Sequence, residues 1–235
     1  KKINALGGQF HVKLSLSGLE CVCFVALGSD FSNLRSGWSE EVFPRLSDEK
    51  WRAIEEYGRL LYLWSGKINL LSRSERNLIA TKHIWRGIAL AKAIEARAPQ
   101  TIVDIGSGAG IPALPIKIFL PDTEIFLVES RRKRANFLRA VTRALSLKKI
   151  CVINERIENW DSAVKADIVT ARAVANPSVL LNWITDHVYK RTILVCTLSS
   201  ECGYAKNRNT EIKCLTWAGQ SMRVGLFPVD YQHQE

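Results

Sequence analysis

The sequence predicts an α/β protein in which a mainly parallel, doubly wound sheet carries a helical cap on its N-terminal side. Two observations carry the sheet. From Thr101 onward, short apolar runs alternate with amphipathic stretches, giving strands at 101–105, 124–129, 149–154, 166–170 and 191–197 and helices at 111–119, 131–146 and 177–188. Between the first of these strands and the first helix stand Gly106, Gly108 and Gly110, at the turn where a doubly wound sheet meets its ligand. A third observation carries the cap, because residues 46–98 show helical and not strand periodicity.

Residues 1–45 form a leader with no assigned role. Phe10, Val12, Leu14 and Leu16 alternate, as do Leu19, Cys21, Cys23 and Val25 beyond Ser17-Gly18, a pattern that fits either a small β-hairpin or accidental alternation in an unordered segment. The cap is expected over residues 46–98. Ser47 is placed to cap a helix whose first turn carries Asp48 and Glu49, favourable at the positive end of the helix dipole. Trp51, Ile54, Tyr57, Leu61 and Trp64 recur on one face of it. A second helix is expected from about Ser74 to Arg97, ending before Pro99. Tryptophans at helical spacing are read as core, so Trp64 and Trp85 are expected to pack rather than to stack on bases, and His83 is read as a hydrogen-bonded packing residue rather than a catalytic base.

Residues 99–235 are expected to form the ligand-binding domain. Ile102 to Ile105 make a buried strand broken only by the polar Asp104. The glycines that follow allow positive φ and close approach of a ligand to the backbone. Pro112 and Pro115 fit the early helix, where the first N–H groups have no intrahelical acceptor. The next strand ends in Glu129, where a carboxylate can take a ribose hydroxyl pair. That feature is shared by nicotinamide enzymes and by methyltransferases that bind S-adenosylmethionine (SAM). The Gly-x-Gly-x-Gly spacing after Asp104, with Ile111 where the dinucleotide fingerprint wants glycine, favours SAM and a Rossmann-like class I methyltransferase fold. Asp104, Gly106, Gly108, Gly110, Glu129, Ile157-Glu158 and Thr170-Ala171-Arg172 all fall at or just past strand ends, so they are expected to converge on one cleft.

Charge and composition narrow the partners. With 235 residues, 47% of them apolar, the chain can bury a substantial core as one domain with added helices. The net charge of +10 points to a polyanion. From Arg131 to Lys149 there are Arg131, Arg132, Lys133, Arg134, Arg139, Arg143, Lys148 and Lys149 and no acid. On this helix Phe137, Leu138, Val141 and Leu145 face inward and Arg132, Asn136, Arg139 and Arg143 outward, so the outer face reads as a track for RNA phosphates. The six cysteines show neither Cys-x-x-Cys nor a zinc-binding spacing with histidine; free thiols in the cytoplasm, and no metal, are expected. No stretch has the length of a membrane span and no signal peptide is legible, since Lys13 and Glu20 interrupt the apolar segment. The chain opens at Lys1 without a methionine, as a fragment or processed product would. A monomer is expected.

Together these residues resemble the bacterial small-subunit ribosomal RNA guanine-N7 methyltransferases, the RsmG (GidB) family. The likeness runs from about Trp51 to Lys190. It rests on Ile68-Asn69-Leu70, His83, Val103 to Pro112, Lys133-Arg134 with Phe137-Leu138-Arg139, Arg156-Ile157-Glu158 and Ala171-Arg172-Ala173. The resemblance implies a SAM-dependent enzyme that methylates N7 of one guanine in 16S rRNA, with the RNA or the 30S subunit as partner. By position, Gly106, Ile111, Ile157, Glu158 and Arg172 would contact SAM. Guanine N7 carries a lone pair and no proton, so no acid–base residue is assigned; Arg172 and Arg156 are the candidates to orient the base.

The chain departs from the family at Arg86-Gly87 after His83, where Asp-Ser is usual, and at Trp64-Ser65, where Trp-Asn is usual. After about Lys190 the likeness fades: Leu198-Ser199-Ser200 replaces Lys-Gly, and Ser221 to Val229 is the only candidate for a closing strand. Two alternatives follow. One is an RNA-binding protein on the same fold with impaired catalysis, motivated by the divergent C-terminal third. The other is a nicotinamide-dependent oxidoreductase, resting on the glycines and Glu129 alone.

Overall fold

The computed structural model describes residues 31, 46–161, 163–172, 177–184, 187–198, 211–217 and 220–229. The expected hairpin within the first 45 residues lies outside this set.

Helix α1 (Asp48–Ser65) starts as the sequence predicts, with Ser47 Oγ accepting from the Lys50 backbone N–H at 3.3 Å. Its apolar face buries Trp51, Ile54, Tyr57 and Leu61. Trp64 is half-buried and packs edge-on against Phe137, with ring centroids 5.7 Å apart. Trp85 is fully buried, so both tryptophans pack as expected.

The single helix expected over residues 74–97 is instead three segments: α2 (Arg73–Arg76), a π-helical segment (Ile79–Ile84) and α3 (Trp85–Glu95). The change of pitch begins where Leu78 O accepts from both Lys82 N at 2.9 Å and His83 N at 3.2 Å. Its wider turn lets the adjacent Lys82 and His83 both reach the Glu75 carboxylate. Such segments occur disproportionately at functional sites.

The sheet follows the predicted alternation: β1 (Thr101–Ile105), α4 (Ala113–Phe119), β2 (Glu124–Val128), α5 (Arg132–Ala144), β3 (Ile150–Ile153), β4 (Ala166–Ala171), α6 (Pro177–Trp183) and β5 (Val188–Leu198). Two further strands, β6 (Glu211–Trp217) and β7 (Gln220–Pro228), complete the order β3-β2-β1-β4-β5-β7-β6. β1 to β5 pair in parallel, and β7 enters antiparallel between β5 and β6. The segment around Ser221 to Val229 is therefore the closing strand. β6 escaped the sequence reading because it is an edge strand whose Glu211, Ile212 and Cys214 face solvent, which blurs the apolar alternation. The last predicted helix is shorter than expected, ending at Trp183, because β5 starts early: Val188 pairs with Ala166 before the register shifts to Ile193 opposite Ile168.

Cap and sheet share one core. Ile54 and Leu61 of α1, Ile88 and Ile94 of α3, Leu114 and Ile116 of α4, and Phe137, Leu138 and Val141 of α5 belong to a single buried cluster that includes Ile102 and Ile125 of the sheet. Cys196, expected in the core, is buried in β5, and burial pushes its thiol up to about 12. Among the described residues no helix is long and apolar enough to cross a membrane.

Candidate functional site

The parallel order places the ends of β1, β2 and β4 side by side, with Asp104 opposite Leu127 on one flank and Thr170 on the other. β1 runs directly into the glycine turn, where Gly106 N and Ser107 N both donate to Val128 O, at 2.8 and 3.2 Å. Gly106, Gly108 and Gly110 have φ of 64°, 50° and 80°, the left-handed region that a Cβ disfavours. The two inner glycines answer different needs. A Cβ on Gly110 would run into Leu114 Cδ1 and lie 2.7 Å from Leu114 Cγ, so this glycine serves close packing of α4. A Cβ on Gly108 would meet Gly106 O at 3.6 Å, Arg134 Nη1 at 3.7 Å and Glu129 Oε2 at 3.8 Å, ordinary contacts, so it is the positive φ and not crowding by the protein that calls for glycine here.

Two acids flank the turn. Glu129 is buried just past β2, and its Oε2 accepts from Gly108 N at 2.9 Å while Oε1 accepts from Arg131 N at 2.8 Å. Each oxygen keeps further lone-pair capacity. Asp104 is 1% exposed. Its Oδ1 accepts from Thr170 Oγ1 at 2.6 Å, whereas Oδ2 is buried with no hydrogen-bond partner among the described residues. Burial, partly offset by the Thr170 bond, pushes the carboxyl up to about 6. A buried acceptor without a donor is costly, and it suits a site that receives an N–H or cationic group from a ligand.

The cap supplies the other side. Tyr57, wholly buried on α1, donates to Ala109 O at 2.7 Å and so ties the glycine turn to the cap. Arg172, directly after β4, has Nη1 3.0 Å from His83 Nδ1, and His83 Nε2 lies 2.7 Å from Glu75 Oε2. Burial and then the Arg172 charge lower the His83 imidazole to about 4. Among the described residues no group of three His, Cys, Asp or Glu side chains could hold a metal ion.

Of the residues singled out in the sequence, Asp104, Gly106, Gly108, Glu129 and Arg172 come together at the strand ends. Gly110 and Ile111 are buried beneath them. Ile157 is buried in the short 3-10 turn after β3, and its neighbours Arg156 and Glu158 are exposed. At the start of α5 and along it the side chains of Arg131, which precedes the helix, and of Arg132, Lys133, Arg139 and Arg143 are exposed. Arg134 points inward instead, its Nη2 donating to Asn69 O at 2.9 Å, which ties α5 to the segment after α1. Tyr57, expected only on the apolar face of the first helix, and Glu75 are not among the site residues that the sequence predicts. Tyr57 gave a partial signal, because a tyrosine on an apolar helix face needs a partner for its hydroxyl once buried. Glu75 gave none.

The sequence model of the family described as rRNA small subunit methyltransferase G (GidB) matches residues 50–220. Ribosomal RNA small subunit methyltransferase G of Lactococcus lactis subsp. cremoris is 40% identical over 141 residues, which are 58% of this chain and 59% of that protein. Its counterpart in Clostridium botulinum is 35% identical over 165 residues, 68% of this chain and 69% of that protein. The chain thus spans about three-fifths of the first of these relatives. Among solved structures, a methyltransferase from Geobacter sulfurreducens superposes with a TM-score of 0.53 at 14% identity, covering 82% of this chain and 95% of that one. A Podospora anserina methyltransferase with bound S-adenosylhomocysteine gives 0.53 at 14% identity, covering 83% and 94%. At that identity the superpositions speak for the fold alone. The family match takes in α1, the π-helical segment, the glycine turn and Arg172 together, and with it the chain belongs to the rRNA small subunit methyltransferase G (GidB) family.

Proposed function

We propose that this chain binds SAM at the glycine turn and methylates N7 of a guanine in small-subunit (16S) ribosomal RNA, in the cytoplasm where that RNA is assembled. The family match over residues 50–220 carries the reading, and the chemistry of the turn supports it. The unpartnered Asp104 Oδ2 suits the ammonium of the cofactor's amino-acid end, and Glu129 suits its ribose diol. Gly108 leaves the backbone bare where the cofactor would lie. Ile111 and Ile157 would supply apolar wall, and the exposed Glu158 would reach the cofactor from the rim. When bound, SAM supplies a methyl group on a sulfonium, ready for transfer to a lone pair.

The residues present need not remove a proton, because guanine N7 has none. Their work is alignment and exclusion of water. His83, 3% exposed and with Nδ1 held against Arg172, is not available as a base. Arg172 and Arg156 are the residues able to orient the purine: with N7 directed at the methyl group, O6 is the acceptor left on that edge for a guanidinium. Arg131, Arg132, Lys133, Arg139 and Arg143 would track the RNA backbone. Because the family is one of methyltransferases, the nicotinamide reading has only the glycines and Glu129 to rest on.

Isothermal titration with S-adenosylhomocysteine comes first, with NADH as control; micromolar binding of the former alone is expected. Labelled SAM and unmodified 30S subunits then test transfer, and borohydride–aniline scission of the product RNA reports 7-methylguanosine. Label at an exocyclic amine or ring carbon would sink the N7 assignment. Cofactor binding with no transfer would instead favour the impaired-catalysis alternative.

A further inference from the structure

Arginine has N–H donors and no acceptor, so the contact of Arg172 Nη1 with His83 Nδ1 at 3.0 Å is a hydrogen bond only if Nδ1 is unprotonated. A neutral ring then carries its proton on Nε2, which faces Glu75 Oε2 at 2.7 Å in a short but bent contact, since Nε2 makes no well-directed hydrogen bond. Glu75 is held by its other oxygen, which accepts from Lys82 Nζ at 2.7 Å. These residues come from the cap: Glu75 from α2, Lys82 and His83 from the π-helical segment whose pitch turns both toward one carboxylate. Arg172 comes from the sheet, one residue beyond the strand that pairs with β1. His83 is 3% exposed, too enclosed to meet a substrate itself.

We propose that His83 is a positioning residue, oriented by Glu75, which fixes the Arg172 guanidinium at the carboxyl end of the sheet so that the cap sets the alignment of the purine. This rests on the guanine-N7 reading. The bond to His83 fixes one guanidinium nitrogen and leaves further N–H donors for the base. Losing it frees a flexible side chain to rotate, which damages alignment in the transition state more than cofactor binding. Effects of this kind act on kcat, where small misplacements cost orders of magnitude.

The test uses the full chain, with variants His83→Leu, His83→Asn and Glu75→Gln. Imidazole 15N spectra of the wild type should show His83 with Nε2 protonated and Nδ1 as a bare acceptor. His83→Leu should lower kcat on unmodified 30S subunits by about 30-fold or more, with S-adenosylhomocysteine affinity changed by less than about threefold. His83→Asn should recover most of the loss, because its amide oxygen can accept from Arg172 near where Nδ1 did. Should His83→Leu fail to fold, Glu75→Gln at the half-exposed end of the chain should still cost about threefold to tenfold in kcat. A proton on Nδ1, a leucine variant with wild-type kcat, or an asparagine variant no better than leucine would overturn the proposal. A wild type that transfers no methyl to RNA would defeat the guanine-N7 reading, and the imidazole nitrogens and Arg172 side-chain resonances would still decide whether His83 holds the arginine.

Discussion

The two ends of the parallel sheet are built from the same strands and helices, yet they treat buried polar groups in opposite ways. At the amino end, partners are found for them. Lys117, 2% exposed on α4, donates through Nζ to Pro121 O at 2.8 Å and to Thr123 O. Thr123 Oγ1 donates to Pro99 O at 2.9 Å, and Asp167 Oδ2 accepts from the N–H groups of Gln100 and Thr101 at 2.9 and 3.1 Å. At the carboxyl end, Asp104 keeps a buried oxygen with no hydrogen-bond partner among the described residues, His83 sits enclosed beside a guanidinium, and one turn holds three glycines at positive φ. The difference teaches where stability was spent: one end closes the fold, and the other holds polar groups ready for a ligand at some cost to the fold.

The sharpest way to break that contrast is through protons. His83 has its pKa lowered from 6.5 to about 4, so the unfolded chain takes up the proton first and stability falls as pH drops from 6.5 toward 4. Asp104 has its pKa raised from 3.8 to about 6, so the folded chain takes up that proton first and stability rises as pH drops from 6 toward 3.8. At about 1.36 kcal/mol per unit, each contributes about 3 kcal/mol over nearly the same window, with opposite sign, and they largely cancel. Replacing His83 by Asn should expose the Asp104 term: relative to wild type, the variant should gain about 3 kcal/mol between pH 6.5 and pH 4 in urea titrations. A constant difference between the two curves would mean that His83 does not titrate as its surroundings dictate.

Next in size is the contrast between single residues at the two ends. Asp104→Asn should weaken S-adenosylhomocysteine binding by about 30-fold, the loss of a charge-assisted hydrogen bond, and leave stability unchanged or raised at neutral pH because an unpaired carboxylate is no longer buried. Lys117→Met should do the reverse, costing about 1–2 kcal/mol in stability by leaving two carbonyls without their donor, with binding within about twofold of wild type. Gly108→Val belongs with Asp104. Its backbone conformation costs about 1–2 kcal/mol for any L side chain, but its larger effect should be loss of cofactor binding, since the added methyl groups would crowd Glu129 Oε2, 3.8 Å from a Cβ there, and the face of the turn proposed to meet the cofactor. Calorimetry for binding and urea titration for stability separate the outcomes, and unchanged affinity in Gly108→Val would show that the pocket lies elsewhere.

How legible this was in the sequence depends on distance along the chain. β1, the glycine turn, Glu129 and α5 are local: strand periodicity, glycine spacing and an amphipathic helix can be read in windows of ten or fifteen residues. The π-helical segment was not legible, because the contacts that accompany it, of Lys82 and His83 with a carboxylate eight positions before His83, appear only in three dimensions. Tyr57 was assigned to the core on spacing and is indeed buried, but its hydroxyl's partner, Ala109 O, lies 52 residues away. Asp104 and Arg172 were expected near one another from strand ends alone; that His83 would join them was not, since a buried histidine on a helix ordinarily only packs. The edge strand β6 was missed for the converse reason, its alternation being diluted by solvent-facing positions.

The smallest predicted effect concerns α5, where the sequence treated the basic residues as one set and the structure divides them. Arg132, Arg139 and Arg143 are exposed, whereas Arg134 is spent on Asn69 O. If the outer face tracks RNA phosphates, each of the three should release counterions on binding. Replacing all three by alanine should raise KM for 30S subunits several-fold at moderate salt and flatten the dependence of log KM on log salt by about two units, from roughly 0.7–0.9 per phosphate contact. Arg134→Ala should leave that slope alone and act through the Asn69 segment, lowering stability by about 1 kcal/mol. An equal loss of slope in both variants would mean that α5 meets RNA through its inner edge and not its outer face. An unchanged slope in the triple variant would assign its charge to solubility and move the RNA track elsewhere.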